Sequence, residues 1–300
     1  MTQTAVVRTD TGEPLKELAR RHGLTSSGKL PSLLSYSRQL WAYRHFITSY
    51  AAARVSNSLG TTHLGLFWQV LTPLLNAAVY YVIFGVILDT KAGLGVGHYI
   101  SLLCTGVFIY TFTASSVSGG ANAIVGNLGL IRALQFPRAA LPVSITLVEI
   151  RNLIASMSVL MAIVLLTGQP ITVKWLLMFP ALALQSIFNA GLAMFCARLT
   201  SKIIDVKQLI PFVMRIWMYT SAVLYPVTKF TDHLDGWKLH LVEANPLLVY
   251  IELMRHALLD NVTLAGAPTV LWTEAAIWAV GVGILGFVYF WRGEKGYGRG

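Results

Sequence analysis

The chain has 300 residues, of which 55% are apolar and only 12% charged. That is about half the charged share of a soluble domain, too little to cover a water-exposed surface, so the apolar surplus points to lipid. The formal net charge of +10 lies between apolar runs and not on one polar face, which argues against a nucleic-acid binder, and the two cysteines, Cys104 and Cys196, sit inside apolar runs, where neither a disulfide nor a metal site is expected.

Residues 1–35 read as a polar N-terminal tail. They hold basic residues but no apolar stretch of the signal-peptide kind, so the first span is expected to act as its own insertion signal. Glu13–Gly23 has the pattern of a short surface helix ended by glycine. Gly23–Leu30, GLTSSGKL, is one residue away from a phosphate-binding loop. Leu30 stands where that loop needs a hydroxyl for Mg²⁺, and no apolar strand precedes it, so a linker is the preferred reading.

Residues 36–63 predict an amphipathic interface helix and its lead-in. Tyr36, Trp41, Tyr43, Phe46 and Tyr50 are spread through a sparsely basic pattern, and Arg38, Arg44 and Arg54 are candidates for lipid headgroups. Leu64–Leu88 follows, 25 residues without Asp, Glu, Lys or Arg. At about 1.5 Å per residue it can cross a hydrocarbon core about 30 Å thick. Five more apolar stretches, near 98–125, 140–167, 175–197, 206–225 and 271–291, bring the expectation to an all-α membrane protein with six transmembrane helices and a short tail at 292–300. Gly106 and the Gly119–Gly120 pair permit close helix contact in the second stretch. The fifth carries Lys207, Pro211 and Arg215 and is expected to lie buried among the others.

With both termini inside, the inner segments hold 16 of the 23 Lys and Arg and the outer segments five, so the positive-inside rule favours that orientation. Between spans, Gly126–Pro142 is an inner loop with one or two helical turns stopped before Pro137, and Arg132 and Arg138 are expected to face water or a partner. The outer segment 226–270 is long for a connector. Within it Asn245 can cap a helix that starts at Pro246, too short to cross, with Glu252 facing Arg255 or His256. Glu149 and Arg151 lie inside the third stretch, two residues apart, so each needs a partner elsewhere, and Arg215 is the candidate partner for Glu149. The hydrolase and metalloprotease motifs are absent, and no cofactor or metal is expected on this chain.

Four stretches carry a family resemblance: LGLFWQVLTPLLNAAVYYVIFGVIL (64–88), GNLGLIRALQFPRAALPVS (126–144), RLTSKIIDVKQLIPFVMRIWMYTSAVLYPV (198–227) and NPLLVYIELMRHALL (245–259). Together they resemble the membrane subunit of polysaccharide-exporting ABC transporters, the ABC-2 (type V) permeases that export O-antigen or teichoic acid. The basic, apolar chain also looks like an actinobacterial member, the exporter of lipid-linked galactan. The resemblance implies a permease homodimer in the plasma membrane, paired with two copies of a P-loop ATPase that binds ATP and Mg²⁺ outside this chain. It also implies that Arg132, Phe136, Pro137 and Arg138 belong to a coupling loop, and that 244–260 forms re-entrant outer helices with Glu252, Arg255 and His256 at the gate. A sugar polymer needs a wet path bearing aromatic faces, for which Tyr80, Tyr81, Phe84, Trp217 and Tyr219 are candidates. Two other classes stay open. One is a multidrug or small-lipid permease of the same fold. The other is a membrane-bound glycan-processing enzyme using acids such as Asp232, Asp235 and Glu243.

Overall fold

The computed structural model describes residues 31–60, 65–89, 93–231 and 236–297, and these residues are helical apart from short connections. In chain order they form α1 (Leu33–Ala42), α2 (Arg44–Gly60), α3 (Gly65–Tyr80, continued by a π-helical Tyr81–Ile87), α4 (Val96–Ala121), α5 (Leu128–Ala133), α6 (Ala140–Leu166), α7 (Met178–Lys202), α8 (Val206–Thr220), α9 (Thr228–Thr231), α10 (Trp237–Glu243), α11 (Pro246–Leu258) and α12 (Pro268–Trp291). The predicted interface segment is thus two helices broken at Tyr43, whose N–H bonds back to the Gln39 carbonyl at 3.0 Å. The helix expected at Glu13–Gly23 and the near-P-loop at Gly23–Leu30 lie outside the described residues.

Among the described residues four helices, not six, are long and apolar enough to cross a membrane: Val96–Ala121, Ala140–Leu166, Val173–Lys202 and Pro268–Trp291. The six-span expectation is corrected at its first and fifth members. In the first, the apolar helical run is only Leu71–Ile87, and it changes to the wider π winding after Tyr80. In the fifth, α8 has 15 residues, stops at Thr220 and carries Lys207 and Arg215. Its length is about 22 Å, short of the hydrocarbon thickness.

The fold is built around α4, the most enclosed of the long helices. Its glycines account for the closest approaches, because they carry no side chain to keep neighbours away. An added Cβ at Gly120 would meet the Ala193 Cα of α7 at 2.6 Å, and one at Gly119 would meet Ile145 of α6 at 2.7 Å. The same device joins α7 to α12, where a Cβ at Gly191 would fall 2.7 Å from the Gly283 Cα. Lipid supplies no hydrophobic drive between helices, so close packing of small residues does much of the joining. Side-chain hydrogen bonds assist: Gln185 of α7 donates to the Thr113 hydroxyl at 2.9 Å and the Ile109 carbonyl at 3.1 Å, both on α4.

At the end of the bundle where α4 begins, α11 is buried on nearly every side. As the sequence predicts, Asn245 caps it, accepting from the Leu247 N–H at 3.1 Å, and Pro246 occupies the first turn. Glu252 and Arg255 are 1% and 0% exposed and paired at 3.0 Å. Arg255 also donates to the carbonyls of Leu102 (3.3 Å), Ala222 (2.8 Å) and Val223 (3.3 Å), while Glu252 accepts from the Ala265 N–H at 3.3 Å. One ion pair thereby ties α4, the turn after α8 and the turn before α12 to α11. Removing one partner strands the other in the interior, so Glu252→Leu or Arg255→Met alone is expected to cost about 3–5 kcal/mol, and the double variant clearly less than the two singles together. Melting temperatures of the three purified variants check this, and additive losses would contradict it.

Candidate functional site

The opposite end of the bundle gathers the ends of the described chain. Here α1, α2, the segment 122–139 around α5, the start of α6 and the residues after α12 pack around a small apolar cluster that includes Tyr36, Ile124, Ile131, Leu141, Phe290 and Tyr297. The local sequence leaves a problem at α6. The first N–H groups of the helix, on Ala140 and Leu141, bond back to the Pro137 and Arg138 carbonyls at 2.9 and 3.1 Å, and Pro142 has none, which leaves the N–H groups of Arg138 and Ala139 just ahead of it to be satisfied. Their acceptors come from far away in sequence. Glu294 accepts the Arg138 N–H at 3.0 Å, and the Tyr36 hydroxyl accepts the Ala139 N–H at 3.1 Å. Tyr36 in turn donates to Glu294 at 2.7 Å. The Arg138 side chain closes the ring, donating to the Glu294 carbonyl with its guanidinium 3.8 Å from the carboxylate. A carboxylate at a helix N-terminus also complements the helix dipole.

Burial raises the Glu294 carboxyl above its ordinary value, while the Arg138 N–H, the Tyr36 hydroxyl and the Arg138 charge act the other way. Burial, and then the Glu294 charge, pushes the Tyr36 hydroxyl well above the usual tyrosine range, so it remains a donor. Further bonds hold α1 and α2 to the same unit. Tyr50 donates to Asn127 at 2.7 Å, Tyr43 to the Gln135 carbonyl at 3.3 Å, and Trp291 to the Pro31 carbonyl at 3.0 Å.

The expected coupling residues separate here. Arg132 is exposed on α5. Phe136 is half-buried against Phe46, with ring centroids 4.9 Å apart, and Pro137 is buried. Arg138 was expected to face water or a partner. It is half-buried instead, because Glu294 takes both its backbone and its side chain. Glu294 is the residue that sequence reasoning missed. Its signal is faint, a lone acid in the otherwise basic RGEKGYGRG tail. Arg38, Arg44 and Arg54 are exposed on α1 and α2. Arg44 lies 5.8 Å over the Trp41 ring and Arg54 5.9 Å over the Tyr50 ring. Arg54 also borders a polar cavity of about 560 Å³ with Tyr50, Asn57, Asn122 and Asn127.

Among the aromatic candidates, Tyr80 and Tyr219 are brought together with Arg215 and Tyr110 in one electrostatic neighbourhood where α3, α4 and α8 meet. Tyr219 is exposed, and Tyr80, Tyr81 and Phe84 are half-buried against the main core. Trp217 is held in place, donating to Asn245 at 2.7 Å and meeting Phe188 edge-on at 6.3 Å. The expected Glu149–Arg215 link is not formed. Glu149 accepts from Asn152 at 3.2 Å and feels the charge of Arg54, while Arg215 and Arg151 are exposed. The two were paired on the premise that buried charges on neighbouring stretches meet, but Glu149 faces a cavity bordered by α3 and α4. At the far end Glu252 and Arg255 pair as described, and His256 is half-buried on the next position. Asp232 and Asp235 lie outside the described residues, and Glu243 sits 3.2 Å from His240. Cys104 and Cys196 are both free and buried.

Four long apolar helices packed through small residues, with polar assemblies at both ends, make this a multi-pass helical membrane protein. The chain belongs to the ABC-2 type transporter family, whose model matches residues 47–259. It is 25% identical over 213 residues to the O-antigen export system permease protein RfbA of Myxococcus xanthus, covering 70% of this chain and 79% of that protein. Two permeases of the same name from Klebsiella pneumoniae are 25% and 26% identical over 199 and 185 residues, covering 66% and 61% of this chain and 74% and 68% of their own lengths. The chain is therefore a membrane protein of the ABC-2 type transporter family that is similar to permeases of O-antigen export systems.

The raised Glu294 value has a definite sign. The folded chain holds this proton more tightly than the unfolded one, so the stabilisation is full below the ordinary value of 4.5 and is lost as pH rises through the folded value. The melting temperature of the wild type relative to Glu294→Gln is expected to fall as pH is taken from about 4 to about 8, and a flat difference would contradict the buried carboxyl. Tyr36→Phe strands the Ala139 N–H and is expected to cost about 1–3 kcal/mol in the same assay.

Proposed function

We propose that this chain is the membrane-spanning subunit of an ATP-driven exporter that moves a lipid-linked polysaccharide from the cytoplasm to the outer side of the bacterial plasma membrane. The observation that carries the reading is the family match over 47–259, joined to relatives that are O-antigen export permeases. Two copies of the permease pair with two copies of a P-loop ATPase, which binds ATP and Mg²⁺. This chain contributes no cofactor. Both termini are cytoplasmic, a reading supported by the excess of Lys and Arg in the segments at that end. The lipid-linked polymer is a galactan, on the strength of the likeness to actinobacterial members.

In this scheme α5 docks on the ATPase through Arg132, while Phe136, Pro137 and Arg138 pass its displacement inward to α2, Glu294 and the start of α6. Arg38, Arg44 and Arg54 attract the anionic pyrophosphate of the lipid carrier at the inner rim. Tyr80, Tyr81, Phe84 and Tyr219 give the polymer aromatic faces to slide on, and Trp217 supports that wall from behind through Asn245. Glu252, Arg255 and His256 hold the outer gate.

Depletion of the protein is expected to trap lipid-linked glycan on the cytoplasmic face, measured by analysing glycolipid on each side of the membrane. Unchanged glycans would overturn the assignment, and accumulation of a polymer without galactose would overturn the galactan. The purified permease is expected to bring down an ATPase, and Arg132→Glu to weaken that association about tenfold, or about 1.4 kcal/mol, with the melting temperature unchanged. Normal retention of the ATPase would remove Arg132 from the docking surface.

A further inference from the structure

We propose that the cavity between α3, α4 and α6 is a binding subsite for one neutral sugar ring of the exported glycan, held by Glu149 and Asn152 beside Trp68. The inference rests on the polysaccharide reading above and adds to it a place, inside one protomer, where a ring is recognised by hydrogen bonds as well as by aromatic surface.

The cavity measures about 340 Å³, within the range of about 300–1,000 Å³ usual for small-ligand clefts. Its lining combines one carboxylate, one amide, several hydroxyls and aromatic rings: Glu149, Asn152, Thr72, Ser115, Ser156 and Trp68 are all on its wall. Glu149 lies about 14 Å along α6 from its start, well inside the helix bundle. One carboxylate oxygen accepts the Asn152 amide at 3.2 Å, and among the described residues the other accepts no hydrogen bond. The Arg54 charge reaches this carboxylate from α2 without a direct pairing distance, so a ligand does not have to break an ion pair to enter. Trp68 is half-exposed, leaving ring surface free to be covered.

This set of groups discriminates among occupants. An acyl chain would cover the carboxylate and the amide without satisfying them, which leaves their loss of water uncompensated. A phosphate would be repelled by Glu149 at close range. A hard cation takes six or more oxygens, and the wall offers a single carboxylate. A sugar ring answers the polar groups and the indole together. Its hydroxyls donate to the free Glu149 oxygen and accept from Asn152 and the serines, and its apolar face lies on the indole.

The test uses the full transporter, the permease with its ATPase, in lipid nanodiscs. The probe is a set of short oligosaccharides released by mild acid from the glycan that accumulates on depletion. Saturation-transfer NMR is expected to show contact with ring protons, and Glu149→Ala to weaken binding about tenfold, as loss of a hydrogen bond to a charged group requires. In parallel, Ser115→Cys is expected to label the permease subunit with a small water-soluble thiol reagent beyond the wild-type permease, whose Cys104 and Cys196 are buried, and the oligosaccharides are expected to slow that reaction at least about threefold. This second measurement decides the matter if Glu149→Ala fails to fold. Equal binding by Glu149→Ala, no protection of Ser115→Cys, or a Ser115→Cys that never reacts because lipid or the second protomer fills the space would each overturn the subsite. If depletion still traps glycan in those cases, only the subsite falls. If depletion leaves glycan unchanged, the polysaccharide reading falls and the subsite with it.

Discussion

The buried pair of Glu252 and Arg255 is the constraint on which the architecture of one whole end depends. A short helix enclosed among other helices is costly, because its terminal carbonyls and its charges lose water together. Arg255 answers the charge: one Nη pairs with Glu252 and the other donates to carbonyls of α4 and of the turn at Ala222–Val223. That turn needs the help. Ala222 has φ of +48°, a conformation unfavourable for a residue with a Cβ, and it stays there because the guanidinium holds its carbonyl. Gly106 makes the arrangement possible, since any side chain there would occupy the space taken by Val223 and the guanidinium. The route by which the chain leaves α8 and enters α11 is therefore set by charge and by one missing Cβ.

The other end solves a related problem with weaker and more exposed parts. The two N–H groups just ahead of α6, on Arg138 and Ala139, are taken by Glu294 and Tyr36, which come from beyond α12 and from α1. Arg138, in the loop after α5, is bonded to Glu294 in the continuation of α12. In turn α12 lies backbone-to-backbone against α7 at Gly191, Gly283 and Gly286 and has little slack. The helices behave as rods joined at both ends: firmly by a fully buried ion pair at one, more adjustably by a partly buried one at the other.

What was legible in the sequence follows from how local its cause is. The cap at Asn245, the proline after it and the Glu252–Arg255 spacing are neighbours along the chain, and they appear in space as their pattern implies. The apolar runs of α4, α6, α7 and α12 were legible for the same reason. The first and fifth runs were not, since hydropathy registers composition and not winding, and it cannot see that helix geometry changes after Tyr80 or that α8 ends at Thr220. The partners of buried charges were the least legible. Arg138 meets Glu294 across 156 residues and Glu149 turns to a cavity wall, and neither relation has a periodicity to betray it.

The two runs that departed from expectation are also thinly embedded. Only Ile210, Met214 and Met218 of α8 are buried, while Leu209, Phe212, Val213 and Ile216 are exposed, and α3 leaves Leu75, Val79, Val82 and Val86 uncovered. By contrast α4, α7 and α12 are locked through glycine and alanine contacts that tolerate no separation. The molecule thus divides into a fixed core and an outer layer of α3 and α8 whose packing has less to lose when it shifts. Tyr80 and Tyr219 lie where these two helices approach each other, so their aromatic surface sits on the layer that yields, while the glycine-packed helices α4, α7 and α12 belong to the part that does not.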